Sequence, residues 1–415
     1  MLSPAEAART ILQDVTRLPV ECISLPEALD RVLANDVTSP IDLPGWDNSA
    51  MDGYAVRSED LHSKVGAVEL RVIETIPAGA FPSKSLAPGE CSRIFTGAPI
   101  PEGADTVIRQ EDTTPLGDDR VRIDDVGGAK RNVRFRGEDI KRGTVVLLNG
   151  TALGPAHLGV LASMAQSEVY VYRQPKVAFL GSGDEIVDLD ERDAILKGTK
   201  IASSNTYTLL AMIAQAGGEA INLGLAKDDP ADITHRLANI FQADLLITTA
   251  GISVGEHDHM RTALDALHTD FKFWRILMRP GAPVGFGMIG ATPWLGLPGN
   301  PVSTMVTFEL FARPAIRKML GHLKLFRASV PVRIAESFAV RAKLTHFLRA
   351  VITDDGDGTL SARLTGSQGS GILTSMAQAN ALLIVPAELA DVTEGTTLAA
   401  IPLDGHVHVE QPPFE

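Results

Sequence analysis

Hydrophobic residues change their spacing several times along the chain, which predicts several domains of different class. Residues 8–15 carry apolar side chains at helical spacing, and Ser3 followed by Pro4 is typical of a helix start. A second helix is expected over residues 26–32, and residues 151–167 return to helical spacing. One discontinuous helical and linking domain is therefore predicted at residues 1–45 and 142–174.

The segment from residue 46 to residue 141 has short apolar runs separated by Gly, Pro and Asp. This pattern predicts a β-rich inserted domain. The predicted strands of this region lie at residues 68–73, 91–94, 106–109, 121–123 and, just beyond it, 145–148.

Strand and helix patterns alternate from residue 175 to residue 325, which predicts a doubly wound α/β domain with a largely parallel sheet. Strands are expected at 177–180, 220–225, 245–249 and 274–278, and helices at 206–216, 230–241, 259–267 and 302–320. Residues 326–415 return to short strands and predict a C-terminal β-barrel, with strands at 330–334, 348–352, 381–385 and 397–401. The fold class is α/β plus β.

Composition narrows the range of functions. Hydrophobic residues form 45% of the 415, which is enough for an ordinary folded core. A net charge of −13 argues against a broad nucleic-acid-binding face. Two cysteines cannot build a disulfide framework, so a reducing cytoplasm is the expected location. The chain shows neither a signal peptide nor an apolar run of membrane-spanning length, so no membrane role is expected.

Acidic residues and glycines follow three of the predicted strands. In an open α/β sheet these strand ends share one edge, where ligands bind. Glycines let backbone amides approach phosphate oxygens, and carboxylates suit Mg²⁺. The alternative is that Asp and Gly only form turns there. The residues concerned are Gly181, Ser182, Gly183, Asp184 and Glu185, then Asp228 and Asp229, then Gly251, Ser253, Gly255, Glu256 and Asp258.

Basic residues and a helix start provide a second set of candidates. Arg275 and Arg279 lie four residues apart on a predicted strand, where even spacing places both on one face, suited to an oxyanion. They could equally pair with the surplus carboxylates. Asn300 followed by Pro301 predicts a helix start, which attracts anions through its free amides. His257 and His259 flank Asp258 but have no further metal-ligand partner in the sequence nearby, so a metal role for them is not expected.

Seven motifs resemble those of one known family. Residues 44–56, Pro-Gly-Trp-Asp-Asn-Ser-Ala-Met-Asp-Gly-Tyr-Ala-Val, are similar to a signature of the MoeA family of molybdenum-insertion proteins, to which the E domain of gephyrin also belongs. The other motifs follow in the family's order and extend the resemblance over essentially the whole chain. They lie at residues 134–139, 181–185, 251–256, 279–281, 297–303 and 364–370.

The resemblance implies an activity and an assembly. Proteins of this family insert molybdenum into adenylylated molybdopterin, with molybdate as second substrate, Mg²⁺ as cofactor and AMP as product. The subunit is expected to be elongated, with four domains, and to form a homodimer whose cleft joins the α/β domain of one subunit to the β-rich insert of the other. The adenylyltransferase that supplies the substrate and the molybdoenzymes that receive the cofactor are expected partners.

The resemblance also implies roles for individual residues. The acidic residues that matter in the family correspond here to Asp52, Asp139, Glu185, Asp228 and Asp258, with Asp229 as an alternative to Asp228. Glu185 and Asp184 are the expected Mg²⁺ ligands. The expected substrate-binding residues are Arg134, Ser182, Gly251, Ser253, Gly255, Arg275, Arg279, Pro298, Asn300, Pro301 and Ser370.

This chain differs from the family pattern at four positions. Arg275 and Arg279 stand where the family usually has Lys, which keeps the charge but replaces a point donor with a planar fork. Ala282 stands where the family usually has Lys, and Ala250 where it usually has Gly. Two alternative functions are a molybdopterin adenylyltransferase-like enzyme and a non-catalytic scaffold of the same fold.

Overall fold

The computed structural model of the protein describes residues 1–62, 66–117, 119–124, 128–237, 240–250, 259–356 and 358–403. Its internal contacts divide the chain into two compact units. The first unit comprises Met1–Cys22, Asp30–Ala34 and Tyr170–Glu415, and the second comprises Ile23–Leu29 and Asn35–Val169. The four domain boundaries expected from the sequence stay a prediction.

The described residues contain both long helices and single-turn helices. The α-helices are α1 (Pro4–Asp14), α2 (Ser58–His62), α3 (Pro155–Ser163), α4 (Arg192–Leu196), α5 (Ser204–Gln215), α6 (Pro230–Leu237), α7 (His259–Ala266), α8 (Pro301–Thr307), α9 (Arg313–Met319) and α10 (Leu373–Gln378). Short 3-10 turns lie at Leu25–Glu27, Gln110–Asp112, Leu189–Glu191 and Ile240–Gln242, and a π-helical turn at Phe308–Ala312 joins α8 to α9.

The strands belong to three six-stranded sheets and several two-stranded pairs. Before the α/β region they are β1 (Val20–Ser24), β2 (Val37–Thr38), β3 (Asn48–Ser49), β4 (Gly53–Val56), β5 (Val68–Ile76), β6 (Glu90–Ile94), β7 (Thr106–Arg109), β8 (Thr113–Pro115), β9 (Arg120–Ile123), β10 (Val133–Arg134), β11 (Val145–Leu147) and β12 (Glu168–Tyr172). From there onward they are β13 (Lys176–Ser182), β14 (Ile186–Val187), β15 (Ile201–Ala202), β16 (Glu219–Ala226), β17 (Leu245–Thr249), β18 (Asp270–Phe273), β19 (Met278–Arg279), β20 (Gly285–Ile289), β21 (Thr292–Leu297), β22 (Val330–Ile334), β23 (Phe338–Ala339), β24 (Thr345–Asp354), β25 (Leu360–Leu364), β26 (Ala381–Val385), β27 (Asp391–Val392) and β28 (Thr397–Pro402).

The α/β sheet of the first unit has the order β16-β13-β17-β21-β20-β18. Its first four strands are parallel, while β20 and β18 are antiparallel to their neighbours. Successive residues of β13 point to opposite faces: Val177 and Phe179 join the core beneath α1, α5, α8 and α9, whereas Ala178 and Leu180 join the core beneath α6 and α7. Helices therefore cover both faces, and the predicted doubly wound domain is confirmed.

The predicted strand at residues 274–278 is wrong. The strand pattern in this region is divided between β18, which ends at Phe273, and β19, which begins at Met278. The amide of Ile276 donates to the carbonyl of Ala282 at 3.0 Å, and Leu277 donates to Leu2 at 2.8 Å. The segment thus bonds to a loop and to the N-terminus, and a local pattern of apolar residues cannot reveal that no neighbouring strand is available.

The predicted helix at residues 26–32 is also wrong. Only a 3-10 turn forms at Leu25–Glu27, with the Glu27 carboxylate bonded back to Ser24. Asp30 follows with φ 62°, a left-handed conformation that an α-helix cannot contain.

In contrast, the helix expected after Ser3 is present, and Ser3 and Glu6 form a reciprocal capping box. Helix α5 begins at Ser204, two residues before the predicted helix at 206–216.

The C-terminal part of the first unit confirms the predicted β-barrel. Its sheet has the order β19-β24-β25-β22-β28-β26, and an additional pairing of β24 with β26 closes strands β24, β25, β22, β28 and β26 into a ring. The interior of the ring is filled by apolar side chains, among them Val332, Leu348, Ala362, Leu383 and Ala400.

Within the described part of the chain, no helix is long and apolar enough to cross a membrane.

The second unit contains a six-stranded sheet of order β7-β4-β6-β5-β9-β8. Strand β4 lies between β7 and β6, and its first residue, Gly53, lies opposite Arg109 of β7. A Cβ atom at Gly53 would meet the carbonyl oxygen of Ile108 at 1.9 Å, so only glycine permits this approach. The preceding residue, Asp52, therefore lies at the N-terminal end of a strand that is paired on both sides, and its carbonyl accepts the amide hydrogen of Gln110 at 3.0 Å.

A half-buried histidine predicts a pH dependence of stability. Burial, together with the nearby Arg317 and Arg313, lowers the pKa of His322 from 6.5 to about 4. Between these values the unfolded chain binds a proton that the folded chain does not, so acidification favours unfolding. We expect the free energy of unfolding to fall from pH 6.5 towards 4 more steeply in the wild type than in His322→Gln, measured by urea titration. Equal slopes would contradict this prediction, and the exposed His268→Gln is the control.

Candidate functional site

A cavity of the first unit lies beyond the carboxyl ends of β13, β17 and β21 and has a volume of about 520 Å³. Six of the residues whose roles the family resemblance implies line it, and the wall is otherwise rich in hydroxyl and amide groups. Glu185 and Arg275 are the charged side chains among its described lining residues. The six expected residues are Ser182, Glu185, Arg275, Pro298, Asn300 and Pro301.

Glu185 is placed by a sharp turn after β13. Gly183 adopts φ +141°, and a Cβ atom there would lie 2.9 Å from Oε2 of Glu185. Glycine is therefore required for the chain to reverse and bring this carboxylate over the end of the sheet. The amide of Ile201 donates to the carbonyl of Glu185 at 2.9 Å and ties the turn to β15.

A second cavity of about 310 Å³ shares Ser182, Glu185 and Ala250 with the first. Asp228 and His259 are among its other lining residues. The carboxylate of Asp229 instead accepts the amide hydrogen of Asp232 at 3.1 Å and caps α6. Of the two candidates, Asp228 is therefore the residue brought next to Glu185, and Asp229 has a structural role.

Asp184 lies beside Asp228 and links two strand ends. The amide of Asp184 donates to Oδ2 of Asp228 at 3.4 Å, and the amide of Asp228 donates to Oδ1 of Asp184 at 3.2 Å. Asp184 is not among the described lining residues of either cavity. Of the two expected Mg²⁺ ligands, Glu185 therefore lies in both cavities, and Asp184 supports the neighbouring loop.

Ser370 contacts the start of α8 directly, and a buried arginine holds the loop before it. Nδ2 of Asn300 donates to Oγ of Ser370 at 3.0 Å, and the amide of Val302 donates to the Ser370 carbonyl at 3.2 Å. The loop before Ser370 is held by the fully buried Arg349. Its guanidinium donates to the carbonyls of Gln368, Ser367 and Gly369 and to Oγ of Ser375. Burial lowers the pKa of Arg349.

Arg275 and Arg279 do not share a strand face as expected. Arg275 lies in the loop between β18 and β19, where it lines the first cavity, whereas Arg279 lies on β19 opposite His346 of β24. Both side chains are exposed. The expectation failed because it depended on the strand at 274–278, which does not form.

The second unit contains Asp52, which directly precedes β4 and whose carboxylate is held by hydrogen bonds. The amide and the hydroxyl of Thr96 each donate to Oδ1 of Asp52 at 2.8 Å. These hydrogen bonds from Thr96 lower the pKa of Asp52, with a smaller contribution from Arg93. Asp52 is therefore ionised at neutral pH.

Removing one of these hydrogen bonds is expected to change the titration of Asp52. In Thr96→Val the hydroxyl donor is lost while the amide donor remains, so the pKa of Asp52 should rise towards its ordinary value. NMR titration of the side-chain carboxyl carbon measures this change. Thr151→Val in the same unit is the control and should leave the pKa of Asp52 unchanged. An unchanged pKa in Thr96→Val would contradict the assigned cause.

Arg134 and Asp139 also lie in the second unit and both are exposed. Arg134 is on β10, paired with Asn48 of β3. The amide of Asp139 donates to the carbonyl of Leu43 at 3.1 Å, which fixes the backbone and leaves the carboxylate at the surface. The two motif segments at 44–56 and 134–139 are thus joined by backbone pairing within this unit.

Several expected site residues lie outside the described residues: Gly251, Ser253, Gly255, Glu256 and Asp258. Other residues in the two cavities were not expected from the sequence. Asn205 lines the first cavity and donates from Nδ2 to the carbonyl of Gly299 at 2.7 Å, and His259 lines the second. Asn205 directly precedes the predicted helix at 206–216, and His259 is the first residue of the predicted helix at 259–267. The sequence could not show that both residues lie close to the end of β13.

Three family models match successive parts of the chain. They are described as the MoeA N-terminal region (domain I and II), at residues 2–165, a probable molybdopterin binding domain, at residues 178–318, and the MoeA C-terminal region (domain IV), at residues 331–403. The molybdopterin molybdenumtransferase of Nostoc sp. is 36% identical, over 97% of this chain and 94% of its own. The chain belongs to the MoeA family.

Other members extend this assignment. The molybdopterin molybdenumtransferase of Haemophilus influenzae is 36% identical over 92% of this chain and 94% of its own. The crystal structure of the molybdopterin biosynthesis MoeA protein from Pyrococcus horikoshii OT3 superposes with a TM-score of 0.83 at 28% identity, covering 97% of this chain and all of that one. As a MoeA-family chain the protein is an enzyme of the transferase class, and the predicted fold class is confirmed.

Proposed function

We propose that this chain inserts molybdenum into adenylylated molybdopterin, with molybdate as the second substrate and AMP as a product. The observation that carries the proposal is the pair of joined cavities at the carboxyl edge of the parallel sheet, with Glu185 in both. The larger one has room for a heterocyclic ring among hydroxyl and amide groups. The smaller one has carboxylates, as a metal-bound phosphate requires.

The donor set fits Mg²⁺. This ion binds oxygen and is usually held by one or two carboxylates together with substrate phosphates and water. Glu185 and Asp228 line the second cavity and would hold it. Among the described residues, no group of three or more His, Cys, Asp or Glu side chains could hold a metal by themselves, which agrees with an ion held partly by the substrate. When bound, Mg²⁺ would neutralise charge on the phosphoanhydride oxygens.

The chain's own residues would orient the two ends of the substrate. Ser182 and Asn300 would hydrogen-bond the substrate in the first cavity, and the guanidinium of Arg275 would attract an anionic group at its rim. In the reaction a water or molybdate oxygen attacks the phosphorus of the phosphoanhydride and the P–O bond to AMP breaks. The two thiols of the dithiolene then replace two oxygen ligands on molybdenum, and these oxygens leave as water with the two thiol protons and two protons from solvent.

A homodimer belongs to the same proposal. We expect Asp52, Arg134 and Asp139 of one subunit to act on substrate held by the other subunit. The expected location of this dimer is the cytoplasm. Inactive Asp52→Ala and Glu185→Ala subunits, unfolded together and refolded at equal amounts, should then regain about a quarter of wild-type activity, because half of the dimers contain one intact site. No regain in dimers that have exchanged subunits would contradict a shared site.

The decisive experiment measures AMP release from adenylylated molybdopterin by the purified chain, with molybdate and Mg²⁺ and with each omitted in turn. AMP release that requires both molybdate and Mg²⁺ supports the proposal. It would also show that the reaction tolerates Ala282 in place of the usual Lys of the family. No release while the ligand stays bound would contradict it and favour a scaffold. Formation of adenylylated molybdopterin from ATP would favour the adenylyltransferase alternative.

A further inference from the structure

A cluster of arginines lies in the first unit, away from the residues of both cavities. Arg313 and Arg317 belong to α9, and Arg327 lies between α9 and β22. They surround Glu309 of the π-helical turn, whose side chain is only 8% exposed. Nε of Arg327 donates to Oε1 of Glu309 at 2.8 Å, and Nη1 of Arg313 lies 3.7 Å from the same oxygen. We call these four side chains the arginine cluster.

The cluster carries more positive than negative charge. Arg317 has no carboxylate partner among the described residues; its guanidinium donates instead to the carbonyl of Lys324, at 3.3 Å from Nε and 3.1 Å from Nη2. Burial lowers the pKa of Arg317 to about 10, so it remains charged at neutral pH. Three guanidinium groups therefore share one carboxylate. The dipole at the end of α9 offsets only about half a charge.

The neighbouring histidine responds to this surplus. Nδ1 of His322 lies 3.2 Å from Nη2 of Arg317, and the ring stays neutral because burial and the two guanidinium groups of α9 lower its pKa. His322 therefore accepts a hydrogen bond and adds no charge. The nearby Lys318 ammonium bonds to the carbonyl of Leu12. The charged groups that act on Arg313, Arg317 and His322 belong to the cluster itself.

Partly buried positive charge without enough counter-charge favours an anion. The side chains of Arg313 and Arg327 are 15% and 25% exposed, which leaves access from solvent. Among the described residues, the η-nitrogens of Arg327 and the Nε and Nη2 atoms of Arg313 have no hydrogen-bond partner. A tetrahedral oxyanion presents several oxygens to such planar donors at once.

We propose that the arginine cluster binds a phosphate-type oxyanion, at a site separate from the proposed substrate cavities. A local surplus of positive charge can attract such an anion even on a chain whose net charge is −13. Binding completes the charge balance around α9 and stabilises the connection between the α/β domain and the barrel.

Calorimetric titration of the full chain with inorganic phosphate, at constant ionic strength set with chloride, tests the proposal. Wild type should show saturable binding, and Arg313→Gln should weaken it about tenfold through the loss of a charge-assisted donor. Glu309→Gln should bind more tightly, because a competing carboxylate is removed. The exposed Arg363→Gln of β25 is the matched control and should bind like wild type.

Two results would overturn the proposal. One is equal phosphate affinity in wild type and Arg313→Gln. The other is loss of binding in Arg275→Gln with retention in Arg313→Gln, since the phosphate would then occupy the first cavity. If Glu309→Gln fails to fold, the comparison of Arg313→Gln with Arg363→Gln still decides. Neither outcome depends on molybdenum insertion, so the proposed function is tested separately.

Discussion

Glu185→Gln should lose AMP release by about 100-fold or more while remaining folded. The substitution keeps the size of the side chain and removes the negative charge that both cavities share. A carboxylate that holds a metal at a phosphoanhydride contributes several kcal/mol through the charge stabilisation that the metal provides. The rate of AMP release at saturating molybdate and increasing Mg²⁺ measures the loss.

Two further variants separate a metal-holding role from a structural one. Glu185→Asp keeps the charge on a shorter side chain and should retain part of the activity with a higher Mg²⁺ requirement. Glu191→Gln removes an exposed carboxylate six residues further along the chain and should behave like wild type. Wild-type activity in Glu185→Gln would reject the assignment of this residue, whatever the reaction of the chain.

Arg349→Met should lower the free energy of unfolding by about 3–5 kcal/mol. The guanidinium is fully buried and satisfies three backbone carbonyls and one hydroxyl. Methionine fills much of the volume but leaves those oxygens without donors, and each unsatisfied buried group costs about 1–3 kcal/mol, partly relieved by rearrangement of the loop. Urea titration measures the change.

Two further variants separate the role of the Arg349 guanidinium from the effect of replacing any arginine in the barrel. Arg349→Lys restores a charge but not the planar fork, so it should recover only part of the stability. Arg363→Met on the adjacent strand β25 is exposed and should change stability by no more than about 0.5 kcal/mol. A loss in Arg349→Met no larger than that of this control would contradict the role assigned to the buried guanidinium.

Strong local periodicity made much of the fold predictable. Strand β17 and the strands at 330–334 and 381–385 begin and end at the predicted residues. The strands at 245–249 and 381–385 are largely buried runs, whereas the strand at 330–334 alternates buried and exposed positions, and both patterns are recognisable in the sequence. The start of α1 follows from Ser3 and Pro4 in the same way. The predictions failed where a segment depends on distant partners, as at residues 274–278, whose backbone bonds to Ala282 and Leu2.

The types of residue at the candidate site were predictable from the sequence, but which of these residues lie together in the cavities was not. The run from Gly181 to Glu185 identifies a polar turn after a buried strand, because such turns need glycine and carboxylates need solvent or ligands. Choosing Asp228 over Asp229 required the structure, since adjacent residues of one type differ only in what they contact.

The sequence by itself determined the classes of the domains, the family and the residue types at the sheet edge, because these follow from periodicity and from ordered motifs. Only the tertiary structure decided which residues meet. Asn300, predicted as a helix cap, bonds to Ser370, seventy residues later in the chain. Arg349 of β24 bonds to Gly369, which lies in a loop outside that strand. Contacts of this kind depend on how strands are ordered and closed into sheets, which no local pattern encodes.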